Sequence, residues 1–365
     1  MLLWSLMMDT TPALLSKTSG LAAELVHHKD LLPHVKEARL DDDGGVAGVG
    51  LCARHKVHSL THRLARALQV PQRRLAGGTV GLLIPKAAHL HVDVFLAQLG
   101  ACVHGICQEV GLDLLIETTD DLGAEPVACL DRLRSRGIGG LIVVNPRGED
   151  YGLLHRLADA GVALVVFGAG LPGLERFAAL GCDSPGAVRL LMRHLQQLGH
   201  RRIGHVSYAP AEFVLVDERV RGWTEALLAD GVRPEPAWLV HADISAASGY
   251  QATRSLLAQQ RPLPAARRIT ALFAGNDTIA FGALRAVREA GLQVPSDIAV
   301  VGFDDIPLAA YADPPLTTVR TDPIGHGREA MALLLAQLRG LRAPPTHWLE
   351  RPELVVRASC GAVRG

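Results

Sequence analysis

From Thr79 onward, short apolar runs alternate with segments whose apolar residues recur every three or four positions. "TVGLLIP" (79–85) is rich in branched side chains and bounded by Gly77–Gly78 and Pro85, so it reads as a buried strand. A helical stretch over 92–109, closed by Gly111, leads to a second strand, "LDLLIETT" (112–119). "PVACLDRLRSRGIGG" then reads as a helix with a glycine stop, and "LIVVN" (141–145) as a strand. "YGLLHRLADAG" and "VALVVFG" repeat the unit. So do "GAVRLLMRHLQQLGH" with "RRIGHVSY", "ERVRGWTEALLADG" with "ALFAG", and "DTIAFGALRAVREAG" with "IAVVGF". Strands that alternate with helices predict parallel sheets with crossover helices. Near-continuous apolar strands fit sheets covered on both faces. There are more of them than one small sheet needs, so the fold class is α/β with two doubly wound lobes.

The helix after "FAGND" shows the pattern at residue level. Ile279, Ala283, Ala286 and Ala290 share one face with Ala280, Leu284 and Val287 beside them, while Arg285, Arg288 and Glu289 fall opposite. Asn276 or Asp277 is placed to cap its start and Gly291 to end it. Asn276 also sits at a strand's C-terminal tip, where open α/β sheets hold ligands. In "VVGFDDIPLAAYADPPLTTVR" another apolar strand runs into two aspartates, Asp304 and Asp305. Side chains alternate along a strand, so the pair should point to opposite sides.

Residues 1–78 lack this alternation. "RLDDDGGVAGVG" (39–50) reads as a loop, and Arg54, Lys56, Arg63, Arg66, Arg73 and Arg74 follow with no acidic residue between 54 and 74. That segment could contact phosphates, or be a solvated, partly disordered lead-in. Over the whole chain, 37 Lys and Arg balance 37 Asp and Glu, so net charge points to no polyanionic partner. The six cysteines form no CxxC pair, which argues for reduced thiols over a disulfide frame or zinc site. The apolar start meets Asp9 without a basic lead, and no apolar run reaches the roughly 20 residues of a membrane span. A cytoplasmic protein without membrane contact is expected. No GxSxG, HExxH or Walker-type loop occurs, and the sixteen histidines are dispersed, so neither an enzyme, a metal site nor a cofactor is expected.

Four stretches, in order and spacing, carry a resemblance. They are "TVGLLIP", "CDSPGAVRLLMRHLQQLGHRRIGHV", "ERVRGWTEAL" and "ALFAGNDTIAFGALRAVREAGLQVPSDIAVVGFDDIPLAAYADPPLTTVR". From about Thr79 to Arg357 the chain resembles the effector-binding domain of the LacI (lactose-repressor) family of bacterial transcription regulators. The resemblance implies a periplasmic-binding-protein-like type I fold, with a ligand cleft between two lobes and three crossovers. Residues 1–78 would be an atypical DNA-binding and hinge region, and 79–358 the effector domain. Lobe one would take 79–170 and 317–341, and lobe two 171–314 and 345–358. The crossovers would lie near Gly168–Leu171, Pro314–Thr318 and Leu341–Pro345, the proline-rich one stiffened by fixed φ.

The same resemblance implies site roles. Asp304 would accept hydrogen bonds from a sugar-like effector, while Asp305 caps the short helix at Ile306. Arg219 would offer its planar fork of donors, Asn276 its amide, and Phe95 a contact beside the loop Lys86–Asp93. Gly168 stands where many members carry a ligand-binding aspartate. Leu75 in "QRRLAGG" matches the hinge leucine that wedges into the minor groove, with Arg73 and Arg74 beside it. No helix-turn-helix spacing is legible before it. The function implied is a homodimeric regulator whose operator binding is set by a small-molecule effector. First-lobe helices, including Phe95–Val110 and Gly325–Leu338, would form the dimer. The alternative is a ligand sensor that has lost sequence-specific DNA binding.

Overall fold

The computed structural model describes residues 39–40, 46–47, 78–84, 93–118, 132–133, 135–168, 170–208, 214–341 and 347–362. The chain forms two compact units, Met1–Leu68 and Gln69–Gly365, so the division falls before Gln69 and not before Thr79. In the first unit β1 (Arg39–Leu40) pairs antiparallel with β2 (Val46–Ala47) inside the stretch expected to be a loop. Leu75, Arg73, Arg74, the whole basic run, and the loop Lys86–Asp93 up to residue 92 lie outside the described residues, as does most of the helix expected over "PVACLDRLRSRGIGG".

The second unit holds two parallel sheets. The elements of the first run β3 (Thr79–Ile84), α1 (Val94–Val110), β4 (Asp113–Thr118), β5 (Ile138–Val143), α2 (Tyr151–Asp159), β6 (Ala163–Phe167) and β7 (Ala178–Cys182). Those of the second are α3 (Ser184–Gln197), β8 (Ile203–Ser207), α4 (Val214–Ala229), β9 (Leu239–His241), α5 (Ala246–Gln260), β10 (Ala271–Ala274), α6 (Asp277–Glu289) and β11 (Ala299–Val301). β12 (Thr318–Arg320), α7 (Pro323–Leu338), β13 (His347–Glu350) and β14 (Glu353–Val355) complete the chain. The first sheet has the order β13-β7-β6-β5-β3-β4 and the second β11-β10-β8-β9. β12 and β14 pair antiparallel beside the second sheet.

Period-two alternation explains how the first sheet is covered twice. Val80, Leu82 and Ile84 of β3 join a core with α1 and α7. Leu83, Leu141 and Val143 point to the other face, against Leu154 and Leu157 of α2. The second lobe has one large core around Phe273, Val300 and Phe303. α6 buries Ile279, Ala280, Ala283, Leu284, Ala286 and Val287, the face that helical spacing predicts, while Ala290, placed on that face from the sequence, is the C-cap and is exposed.

Sheet membership moves all three crossovers later than expected. β7 belongs to the first sheet, so the chain first crosses at Cys182–Ser184 and not at Gly168–Leu171. "AALGC" is built of small residues with little strand preference, and forms because β6 and β13 pair with it on both sides. The proline-rich loop does not cross. Leu316 is buried in the second-lobe core and its N–H donates to Ala309 O at 2.8 Å, and the crossing comes after Arg320. The third follows β13, which pairs with β7, and so lies at Glu350–Glu353 and not Leu341–Pro345. α7 packs on β5, β6 and β7. Its Leu333, Leu334 and Leu335 are core residues and not surface available to a second chain.

Two glycines let α5 and α6 meet backbone to backbone. A Cβ on Gly249 would stand 2.7 Å from the Ile279 carbonyl oxygen, and one on Gly282 would run into the Ala246 carbonyl and the Tyr250 N–H. Neither obstacle is a side chain that can turn away. Gly282→Ala is therefore expected to cost about 1–3 kcal/mol or more, by overpacking. Urea denaturation of the purified chain checks this, and an unchanged midpoint would contradict the close approach.

Candidate functional site

The two aspartates after β11 settle into unlike roles through a kink, not through strand alternation. The strand ends at Val301, and Asp304 and Asp305 both adopt positive φ, 111° and 53°. Such a conformation costs about 1–3 kcal/mol in a non-glycine residue and persists only where neighbours fix it. Asp304 N donates to Val319 O at 2.8 Å, and Thr321 N donates to Asp304 O at 3.2 Å. Asp305 does not cap the helix at Ile306. Its carboxylate accepts from Arg320 Nε at 2.8 Å and Arg357 Nη2 at 2.6 Å. The cap is Asp277, whose Oδ2 accepts from Ile306 N at 2.9 Å and whose Oδ1 accepts from the Thr318 hydroxyl at 2.6 Å. Pro307 does occupy the first position of that 3-10 helix, Pro307–Tyr311.

Asp304 lines a cleft between the two lobes. Arg219, Asn276 and Phe95 line it as well, so all four residues named from the sequence meet there. Arg219 Nη1 donates to the Gly275 carbonyl at 2.6 Å, and its guanidinium lies 3.7 Å over the Phe303 ring and 4.7 Å from that of Tyr208. Its buried Nε has no hydrogen-bond partner among the described residues. Asn276 does two things at once. Its Oδ1 caps α6 by accepting from Ile279 N at 2.8 Å, and its Nδ2 reaches Ile244 O only at 3.5 Å. Burial pushes the Asp304 carboxyl well above the usual range; Arg219 opposes the rise and the Asp93 and Asp277 charges add to it.

Gly168 lies elsewhere. A Cβ there would meet Leu171 and Leu174 of the first lobe's outer core, and Gly168 is not among the lining residues. The sequence reading missed Asn145, Phe167, Cys182 and Tyr208, which stand at or just past the C-terminal tips of β5, β6, β7 and β8. The strand-tip rule that picked out Asn276 would have found Asn145, Phe167 and Tyr208, but not Cys182, whose strand has no signature in the sequence. It also missed Asp93, which caps α1 by accepting from Leu96 N at 3.3 Å, and His326 on α7. Among the described residues no cluster of His, Cys, Asp or Glu could hold a metal ion, and no helix is long and apolar enough to cross a membrane.

Two parallel-sheet lobes, three crossings and a cleft between them, apolar with a few polar groups, are the architecture of the periplasmic-binding-protein type. The periplasmic binding protein-like domain family matches residues 192–360. The HTH-type transcriptional regulator reg1 of Streptomyces lividans is 32% identical over 329 residues, 88% of this chain and 92% of that protein. The HTH-type transcriptional regulator MalR of Streptomyces coelicolor is 32% identical over 331 residues, with the same two shares, 88% and 92%. Among solved structures, the transcriptional regulator CelR in complex with cellobiose superposes with a TM-score of 0.67 at 30% identity, over 86% of this chain and 93% of that one. A LacI-family regulatory protein from Chloroflexus aggregans gives 0.67 at 26% identity, over 77% of this chain and 98% of that one. The chain belongs to the LacI family of transcriptional regulators.

Asp277 is fully buried, and burial raises its carboxyl from 3.8 to about 7, against the two hydrogen bonds that favour the anion. An acid whose pKa is higher in the fold holds its proton more tightly there. Its contribution to stability is therefore greatest below 3.8 and is lost as pH rises toward about 7. The stability margin of wild type over Asp277→Asn is expected to be larger at pH 5 than at pH 8. Asp277→Ala should be worse than Asn, by roughly 1–3 kcal/mol for each stranded donor. Denaturant titrations at the two pH values measure both, and a margin that does not change with pH would refute the assignment.

Proposed function

We propose that the cleft holds a neutral sugar or related polyhydroxylated metabolite, and that lobe closure around it changes the affinity of a homodimer for operator DNA in the cytoplasm. The observation that carries this is the Asp304 carboxylate, driven up in pKa by burial and facing the same cleft as the Arg219 guanidinium. A desolvated carboxylate is stabilised by donors that a ligand's hydroxyl groups supply. Arg219, held by Gly275 and Phe303, offers a guanidinium of fixed orientation to ligand oxygens. The similarity to a regulator complexed with cellobiose supports the same ligand class. A ligand that contacts both lobes binds the closed state better, and such differential binding is what couples it to a second site.

Operator binding has separate support. The match to reg1 takes in 88% of the chain, a share that cannot be filled from Gly78 onward alone and so includes part of the N-terminal segment. Calorimetry with cellobiose, maltose, glucose and galactose tests the ligand class. For a sugar that binds, Asp304→Ala and Arg219→Ala should each weaken affinity by about 1–3 kcal/mol, the cost of leaving a buried polar partner stranded. Equal affinity in both variants would sink the site assignment. Gel shifts on palindromic duplexes, with and without that sugar, test the coupling. Sugar binding without any sequence-selective shift would favour the alternative, a sensor that no longer reads DNA.

The dimer has its own test. α1 presents Ala97, Ala101 and His104 to solvent on the face away from Leu99 and Val103. Light scattering at micromolar concentration should give twice the chain mass of 38.9 kDa. A single-chain mass would count against the homodimer.

A further inference from the structure

One residue meets all three crossings. Glu350 ends β13, at the start of the third. Its carbonyl accepts from Asp183 N, in the first crossing, at 3.2 Å. Its Oε2 accepts from Asp322 N, in the second, also at 3.2 Å. His326 Nε2 lies 3.6 Å from the same oxygen. The His326 ring faces the Gly181 and Asp322 backbones as well. It stands 5.8 Å from Phe95 and 5.7 Å from Phe167, centroid to centroid, and both rings belong to the cleft wall. Contacts of Glu350 therefore reach every connection between the lobes and, through one ring, the lobe-one side of the cleft.

Covering the sheet does not call for a carboxylate at this position. Side chains alternate along a strand, and in β13 His347 and Leu349 are exposed while Trp348 and Glu350 turn inward. Trp348 packs on the lobe-one core, as an inward residue of a covered sheet should. The Glu350 side chain is only 15% exposed. An apolar side chain would fill its place without the desolvation that a carboxylate meets there. What the carboxylate adds is the bond to the second crossing.

The other ends of the same connections are clamped on lobe two. Arg320 Nε donates to Asp305 at 2.8 Å and its Nη1 to Glu353 at 3.1 Å, while Thr321 N donates to Asp304 O at 3.2 Å. In the second crossing, then, lobe two holds Thr321. Lobe one holds Asp322, which also caps α7 by accepting from Gly325 N at 2.8 Å. A single link lies between them. In the third, Glu350 and Glu353 are held and Arg351–Pro352 lie between, with φ of the proline fixed. Joints of this kind are a few residues at element ends that absorb the backbone change on closure.

We propose that Glu350 is a positioning residue for lobe closure, which ties the three crossings into one joint so that they flex together, at the Thr321–Asp322 and Arg351–Pro352 links, and not strand by strand. The tie is made without any ligand and does not depend on what the cleft holds. Amide hydrogen exchange is followed by NMR on the ligand-free full chain, in wild type, Glu350→Gln and Glu350→Leu. Glutamine keeps an oxygen for the Asp322 N–H. Leucine keeps the bulk and the backbone carbonyl but offers no side-chain acceptor.

In Glu350→Leu the Asp322 amide should exchange roughly tenfold faster. Asp183 is the deciding site, because its own acceptor, the carbonyl of residue 350, is untouched by the substitution. It should also exchange several-fold faster, while Val165 of β6 and Val206 of β8 keep their wild-type rates. Glu350→Gln should restore both Asp183 and Asp322. Acceleration at Asp322 alone would show that the crossings move separately and would overturn the proposal. So would an unchanged Asp322, or a Glu350→Gln protein that exchanges like Glu350→Leu. Faster exchange at Val165 and Val206 too would mean a general loss of stability and would overturn it as well. Added cellobiose or maltose that binds should slow Asp183 and Asp322 by the same factor in wild type and by different factors in Glu350→Leu. If neither sugar nor glucose nor galactose binds, the sugar reading of the cleft falls, and the ligand-free exchange still decides the role of Glu350.

Discussion

The Asp277 carboxylate ties together the three segments from which the second lobe's side of the cleft is built. Its backbone N–H donates to Phe303 O at 2.8 Å at the start of α6. Its two oxygens hold the Ile306 N–H beyond β11 and the Thr318 hydroxyl on β12. Gly302 is a consequence of this bond set. A Cβ there would occupy the space of Asp277 Oδ1 and stand 2.9 Å from Leu316, so the strand exit has to be glycine. Two residues later the chain turns to positive φ and sends Asp304 into the cleft. The direction of the cleft-facing carboxylate is thus set by a second, fully buried carboxylate behind it.

Asp305 carries the same logic to the crossings. Arg320 ends β12, immediately before the chain returns to lobe one, and Arg357 follows β14, after the last crossing. Both guanidiniums close on one half-buried carboxylate. An ion pair of this kind is weak evidence for stability and better evidence for geometry. Here it fixes two of the three connecting strands to the turn that presents Asp304. Lobe one differs in chemistry. Its side of the cleft is mainly Phe95, Leu96, Val144 and Phe167, with Asn145, Asp93 and His326 as its polar points. Lobe two thus supplies the Arg219 guanidinium with the aromatic rings of Tyr208 and Phe303 against it, and lobe one a mainly apolar wall with Asp93 in it.

The long-period features of this chain were legible in its sequence, and the short or network-dependent ones were not. α6 could be read residue by residue because its apolar face recurs at helical spacing and its capping Asn276 and terminal Gly291 mark both ends. β3 was legible from its branched apolar run. β7 was not, because "AALGC" has no strand signature of its own and depends on two neighbours, and missing it displaced the first lobe boundary. Asp304, Arg219 and Asn276 were named through family-matched positions and Phe95 through its place after the first strand, and all four line the cleft. Asp305 was assigned to a cap because adjacency along the chain favours one. Its partners, Arg320 and Arg357, lie 15 and 52 residues away, a separation that local patterns do not encode. His326 was hidden for a related reason: it occupies an apolar helical position, and only the fold shows which way that position faces.

Two polar groups of the cleft are only partly satisfied by the protein itself. Asp304 is held above its ordinary pKa, and Arg219 has a buried N–H without a hydrogen-bond partner among the described residues. Each of these is unfavourable for the isolated domain and is relieved by hydroxyl donors and acceptors brought from outside. Ligand groups that reach both sides of a cleft bind better where the sides are close, and a ligand shifts a two-state protein only as far as it binds one state better than the other.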